Sequence, residues 1–451
     1  MLAIGVGVVL LASFFNVVIP AGIMVVSSRV RTIATLDTTW LTAVYAGTCL
    51  YYFYLLALSW RWRQPADKVG YTPHFVCIVP ARNEAAVIEQ TIECLLALDY
   101  EGHYRVLVMN DGSTDRTGEL AAKYAPTGKV AVIHRDASVA GRGKGDVLNH
   151  AYRVISQWHL PPEHTVVTIL DADGRLEADA LSIVAPYFAC PVVGSVQVAV
   201  RIYNAGESLL TRLQDMEFIG FSMFMQMARD ALGSVGLGGN GQFVRLSALQ
   251  SLGQRPWSGC LTEDLDIGIR LALQGWKLRF CSQAFVAQHG VLNYKALLRQ
   301  RTRWMQGTYQ CWHHIPKLLS ARGLNSQMRT DYTGYLLMAS LVFLIGINLG
   351  LNLLAFAGVS FGNGILAYLA SNSLPAYYGV SSLLSLGPLS LLLISFVRNC
   401  REAPTMTSAL FLPAALALYT YVAWVPAGVL ALLNIMTNRT GWIKTPRTLP
   451  A

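Results

Sequence analysis

Apolar runs of two different lengths alternate along this chain. Residues 2–26 and 39–60 stay apolar for more than 20 positions each, enough for a helix to cross about 30 Å of hydrocarbon. Runs near 332–357, 376–397 and 407–434 predict three more spans, and 361–372 predicts a shorter membrane segment. Between about residues 70 and 330 the apolar runs shorten to Phe75–Val79, Arg105–Met109 and Thr165–Leu170, each closed by a polar turn. Helical patterns such as Glu84–Leu98 and Asp115–Tyr124 separate them. Strands alternating with helices predict an α/β domain whose parallel sheet is covered on both faces.

Two further stretches are amphipathic. Residues 207–232 carry Leu209, Leu210, Leu213, Met216, Ile219, Phe224 and Met227 among polar positions. That spacing suits a helix in the membrane interface, or equally one packed on the sheet. Residues 293–320 mix Arg299, Arg301 and Arg303 with Leu297, Leu298, Trp304 and Trp312. The predicted organisation is two N-terminal spans in 1–62, an α/β domain in 63–290, interfacial helices in 291–330, C-terminal spans in 331–436 and a tail in 437–451. Arg61, Arg63 and Lys68 follow the second span and place the α/β domain in the cytoplasm, while Arg29 and Arg31 pull the other way. Arg398 and Arg401 mark a second cytoplasmic turn.

Composition agrees with this division. Hydrophobic residues make up 53% and charged residues 14%, which excludes an ordinary soluble enzyme. Lys and Arg exceed Asp and Glu, 35 against 26, for a net charge of +9. This excess suits anionic headgroups and positive-inside loops, with cations near Arg142, Lys144 and Arg303 available to phosphate. The eight cysteines form no CxxC pair and no zinc spacing, and read as small core residues rather than a disulfide framework. Residues 2–26 lack a basic start and a cleavage site, and are expected to be a retained helix.

The polar clusters Asn83-Glu84, Asn110-Asp111 and Asp171-Ala-Asp173 fall at predicted strand ends, where parallel sheets bind ligands. Such dipeptides also form plain turns. Asp171 and Asp173 can approach a hard divalent cation whose oxygen shell phosphates complete. Glu84 and Asp111 suit hydrogen bonds to a base or ribose. Arg142-Gly-Lys144-Gly145 reads as a phosphate loop or a basic surface turn. In Thr262-Glu263-Asp264, Asp264 can take a proton from an attacking hydroxyl; the same residues also fit the first turn of a helix. Gln300-Arg-Thr-Arg303-Trp304 offers a cation for diphosphate and a flat ring for a sugar, or else an interfacial anchor.

Taken in order, these motifs resemble the membrane-integrated family 2 glycosyltransferases, which include cellulose, chitin and hyaluronan synthases. The likeness rests on Val79-Pro-Ala-Arg-Asn-Glu84, Asp111, the DxD at 171–173, the TED at 262–264 and the QxxRW at 300–304. It implies a GT-A (nucleotide-diphospho-sugar transferase) domain inserted between transmembrane helices, and inverting transfer from a UDP-sugar with Asp264 as base. Donor contacts are implied for Ala81, Glu84, Asp111, Lys144, Asp171, Gln300, Arg303, Trp442 and Thr445. Acceptor contacts are implied for Thr262, Glu263, Trp304, Gly239 and Asn240, and Mg²⁺ or Mn²⁺ on Asp173. Trp442 and Thr445 belong to a stretch resembling the family's gating loop. That loop needs an even number of C-terminal spans, so either 361–372 crosses or re-enters, or the Trp442 stretch is not where the resemblance places it.

The resemblance puts first a processive synthase in a bacterial plasma membrane, extending a β-linked polysaccharide and passing it among membrane lipids through its own helices. The Gly238–Phe243 segment lacks the Gly-Pro version associated with chitin and hyaluronan synthases and so favours UDP-glucose over UDP-GlcNAc. A non-processive lipid glycosyltransferase of the same fold, and an inactive transport or scaffold protein, are the competing readings. Nothing here calls for nucleic acid, and protein partners leave no readable mark.

Overall fold

The computed structural model describes residues 50–62 except 52, 70–337 and 406–438. The expected spans at 2–26, 332–357 and 376–397, the segment at 361–372, and Trp442 and Thr445 lie wholly or mostly outside these residues.

Eight strands form one mixed sheet in the order β3-β2-β1-β4-β7-β6-β8-β5. They are β1 (His74–Ala81), β2 (Tyr104–Asn110), β3 (Val130–His134), β4 (Thr165–Ile169), β5 (Arg175–Leu176), β6 (Val193–Ile202), β7 (Gln242–Arg245) and β8 (Lys277–Gln288). Strands β3, β2, β1 and β4 run parallel, and β7 enters antiparallel between β4 and β6. Successive side chains point to opposite faces. Val76, Ile78, Leu107 and Val167 therefore pack into one core, and Phe75, Cys77, Val106 and Val166 into the other. Both faces are dry, which is why these strands read as unbroken apolar runs.

Helices α1 (Ile88–Leu96), α2 (Thr117–Ala122), α3 (Lys144–Ser156), α4 (Ala180–Val184), α5 (Leu209–Met216), α6 (Met223–Leu232), α7 (Leu246–Ser251), α8 (Glu263–Leu273), α9 (Tyr294–Gln310), α10 (Ile315–Ser320) and α11 (Met406–Met436) complete the described elements named here. A π-helical turn, Glu217–Ser222, joins α5 to α6. Ser208 caps α5 by accepting from the Thr211 amide at 3.1 Å. The 207–232 stretch is thus a packed helical arm. Leu213, Met216 and Ile219 meet Leu416, Tyr419 and Ala423 of α11, while Phe224, Met225 and Ala228 meet Leu55 and Leu56.

Helix α11 spans the predicted 407–434 segment, and its 19 residues Leu418–Met436 are long and apolar enough to cross a membrane, the one described helix that is. One face carries Ala423, Ala427 and Ala431, all buried. Small side chains at four-residue spacing let α9 approach closely, and Met305 and Tyr309 pack there. The other face exposes Leu418, Val422, Val429 and Leu433.

Candidate active site

The site forms where the carboxyl end of β4 meets the start of α3, the β7 approach and the first turn of α8. Lys144 Nζ reaches Asp171 Oδ1 at 2.6 Å and the Gly239 carbonyl at 2.5 Å. Glu263 Oε1 lies 3.9 Å from the same ammonium. A Cβ on Gly239 would sit 3.2 Å from both Asp264 Oδ2 and Lys144 Nζ, so Asp264 closes the same cluster. Residues separated by more than a hundred positions in sequence thus meet around one cation.

Burial and charge tune these groups. Burial works against the Lys144 ammonium, but Asp171, Glu263 and Asp264 outweigh it and raise its pKa. Burial pushes Glu263 up to about 7; Lys144 and Arg303 oppose the rise while Asp264 adds to it. Asp264 is likewise raised, chiefly by burial, with Lys144 and Arg303 pulling back. An acid held nearer neutrality is a better-matched proton acceptor than an ordinary carboxylate. On the far side of α8, Asp266 is held low: burial opposes ionisation, but His314 and Ser258 prevail through hydrogen bonds. His314 Nε2 lies 2.8 Å from Asp266 Oδ1.

The DxD turn is braced from below. Asn240 Oδ1 accepts from the Asp171 amide at 3.2 Å, and its Nδ2 donates to Gln288 at 3.1 Å. The His289 amide donates to Asp173 Oδ2 at 3.2 Å. Asn240, implied by the resemblance as an acceptor contact, is buried and holds the acidic turn. Asp171 remains partly open and Asp173 is buried. Two carboxylates at one strand end offer an all-oxygen donor set that fits a hard divalent cation. Asp171 and Asp173 are the residues that would hold it.

At the β1–β2 edge, Ala81 ends β1 and its carbonyl accepts from the Asp111 amide at 2.8 Å. Arg135 Nη1 donates to Asp111 Oδ1 at 2.5 Å and the Gly141 amide to Oδ2 at 3.0 Å. Asp111 therefore organises the loop leading to Lys144. Glu84 is buried, its amide bonded to Thr117 Oγ1 at 2.7 Å. Asn83, at φ +53°, accepts from the Thr114 amide at 2.8 Å and ties the two strand-end loops together.

The QxxRW segment divides by helical phase. Arg303 projects its charge onto Glu263 and Asp264. Gln300 Oε1 accepts from Arg301 at 3.1 Å. Trp304, implied by the resemblance to frame the acceptor sugar, packs in an aromatic and cationic cluster. The Arg301 guanidinium lies 4.0 Å over its ring, with Trp424 at 6.2 Å and Phe218 at 6.4 Å. The ring is a joint between α9 and α11, because both neighbours come from elements that clamp that seam. Thr262 sits against Gly307 of α9, where a Cβ would come within 2.5 Å of its side chain.

Sequence reasoning missed Arg301, Glu217, Tyr419 and Trp424. Arg301 falls four residues from both Leu297 and Met305 on the buried stripe of α9, and that spacing was available in the sequence. Its partner Glu217 comes from another arm and carries no local signal.

The family profile described as Glycosyltransferase like family 2 matches residues 73–307. This is more than half the chain, which therefore belongs to that family. A beta-monoglucosyldiacylglycerol synthase of Synechocystis is 34% identical over 284 residues, covering 61% of this chain and 56% of that protein. A poly-beta-1,6-N-acetyl-D-glucosamine synthase of Staphylococcus aureus is 26% identical over 256 residues, covering 55% and 58%. The chain thus spans little more than half the length of these relatives. A mannosyltransferase of Pyrobaculum calidifontis, solved with GDP-Man and Mn²⁺, superposes with a TM-score of 0.56 at 21% identity, over 81% of this chain and 98% of that one. That likeness confirms the α/β nucleotide-sugar transferase fold.

Proposed function

We propose that this protein transfers a single hexose, with glucose favoured, from a UDP-sugar to the hydroxyl of a diacylglycerol-type lipid. The sequence put a processive polysaccharide synthase first; the relatives reverse that order. Similarity to lipid glucosyltransferases exceeds similarity to the polymer synthase in both identity and length. The observation that carries the reading is the union of α9 with α11. The helix bearing Arg303 lies along an apolar helix able to cross a membrane, so the acid pair stands beside the layer where a lipid hydroxyl resides. The chain is then held at the membrane, and the basic residues Arg61, Arg63 and Lys68 favour the cytoplasmic side for its catalytic domain.

In this reaction Asp264 accepts the proton of the lipid hydroxyl, and the oxygen displaces the nucleoside diphosphate in line, inverting the anomeric carbon. Lys144 and Arg303 hold the departing diphosphate by charge-assisted contacts, and Glu84 and Asp111 frame the nucleotide end. A divalent cation held by Asp171 and Asp173 would neutralise charge on the leaving group; the Pyrobaculum relative's Mn²⁺ supports that choice of chemistry. Incubation of the full chain with UDP-glucose and dispersed diacylglycerol tests the reading. One sugar on the extracted lipid supports it, and a high-mass polymer without glycolipid overturns it.

A further inference from the structure

Six cysteines are free among the described residues. Two of them meet: Cys260 and Cys311 bring their sulfurs to 3.6 Å. Cys260 lies two residues before Thr262, and Cys311 directly follows α9. Other contacts press the same two segments together. The Leu261 amide donates to Gln310 Oε1 at 2.9 Å, and the Cys260 thiol lies 3.4 Å from both the Gly307 carbonyl and Gln310 Oε1. Gly307 has no side chain where Thr262 packs. The turn that carries Asp264 is therefore seated on the helix that carries Arg303, with a pair of sulfurs in the seam.

We propose that Cys260 and Cys311 form a reversible disulfide that pins the Thr262–Asp264 turn to α9 and slows sugar transfer. The effect on turnover rests on the function proposed above; the bond itself does not.

The two thiols are unequal. Cys260 is partly exposed and its pKa is lowered, first by the hydrogen bond from Cys311. Cys311 is fully buried and its thiol is raised. Cys260 is then the attacking sulfur and Cys311 the resolving one. With a hydroperoxide as oxidant, the Cys260 thiolate attacks the terminal oxygen, the O–O bond breaks and a sulfenic acid forms. The Cys311 sulfur attacks that of Cys260, its proton leaves with the sulfenic oxygen as water, and the S–S bond closes. With hydrogen peroxide, two thiols lose two electrons and two protons, and the peroxide becomes two waters.

Closing the sulfurs from 3.6 Å to about 2.05 Å draws the turn and α9 together. Shifts of about 1 Å in positioned groups cost up to about a hundredfold in rate.

The full chain in detergent is titrated with hydrogen peroxide, alkylated, digested without reductant and mapped by mass spectrometry, with UDP release measured in parallel. The expected result is a Cys260–Cys311 linked peptide together with a fall in UDP release of about tenfold or more, restored by a dithiol. Cys260→Ser and Cys311→Ser should each abolish the link and the sensitivity. Sulfurs that stay unlinked while Cys94 or Cys190 is oxidised would overturn the proposal, as would a linked protein with unchanged UDP release. The peptide readout stands apart from the acceptor, so a linked protein that glycosylates no lipid would condemn the functional reading alone.

Discussion

Arg301 Nη2 donates to Glu217 Oε2 at 2.6 Å, joining α9 to the π-helical turn between α5 and α6. The Tyr419 hydroxyl donates to the same oxygen at 2.7 Å, and Trp424 Nε1 to the other at 2.8 Å. Arg301 is wholly buried. One carboxylate therefore fastens the apolar helix to the helix that presents Arg303. Removing it leaves an uncompensated buried guanidinium, which typically costs about 3–5 kcal/mol. Glu217→Ala should lower the apparent melting temperature markedly in detergent, and Glu217→Gln, which keeps one of the two acceptor oxygens, should lower it less. Equal melting of Glu217→Ala and the parent would show that the pair fastens nothing.

Asp264 is the proposed base for the acceptor hydroxyl. Asp264→Asn keeps the shape but removes the base, and positioned general bases contribute about 10²–10⁴-fold. Transfer should fall by at least the lower figure. UDP affinity should change little, since its proposed contacts at Glu84, Asp111 and Lys144 remain. A variant with full turnover would move the base elsewhere, and calorimetry with UDP separates lost chemistry from lost binding.

The pH dependence of stability follows from Glu263. Its ordinary carboxyl pKa of 4.5 rises to about 7 in the folded chain, chiefly through burial. Between those values the folded state keeps a proton that the unfolded chain releases. The stabilisation is complete below about 4.5 and is lost as pH rises through about 7, on the order of 3 kcal/mol in all. The apparent melting temperature should fall from pH 5 to 8 more steeply in the parent than in Glu263→Gln. Parallel curves would remove Glu263 as the cause.

Much of this arrangement was legible beforehand, because strand-end acids in a sheet buried on both faces leave a local mark, although the sheet is mixed rather than the expected parallel one. The family resemblance implied one site for Asp171, Asp264 and Lys144, which the fold brings together, and 407–434 appeared as one apolar helix. The contacts that the sequence did not show share a physical origin. Asn240 and Trp304 were read as acceptor contacts from the family resemblance, and a motif does not reveal which neighbours a residue meets across a seam. Asn240 serves the acidic turn through β8, and Trp304 is claimed by Arg301 and Trp424. Arg301 illustrates the limit best: its helical phase was visible, but its need for Glu217 appears only when the 207–232 arm folds against α11.

Divalent metal should be required for transfer. Lys144 already engages Asp171 Oδ1, and Lys144 with Arg303 cannot balance Asp171, Asp173, the neighbouring acids and an incoming diphosphate. Asp171 and Asp173 would hold a hard cation, which would supply charge to offset the leaving group. A strong chelator should therefore abolish UDP release, and Mn²⁺ or Mg²⁺ should restore it. Asp173→Ala should resist that restoration at metal concentrations that saturate the parent. Lys144→Ala separates the two cations: it should weaken UDP binding while leaving the metal requirement intact. Full turnover under chelation would show that Lys144 and Arg303 carry the leaving group unaided, and would remove Asp173 from the reaction.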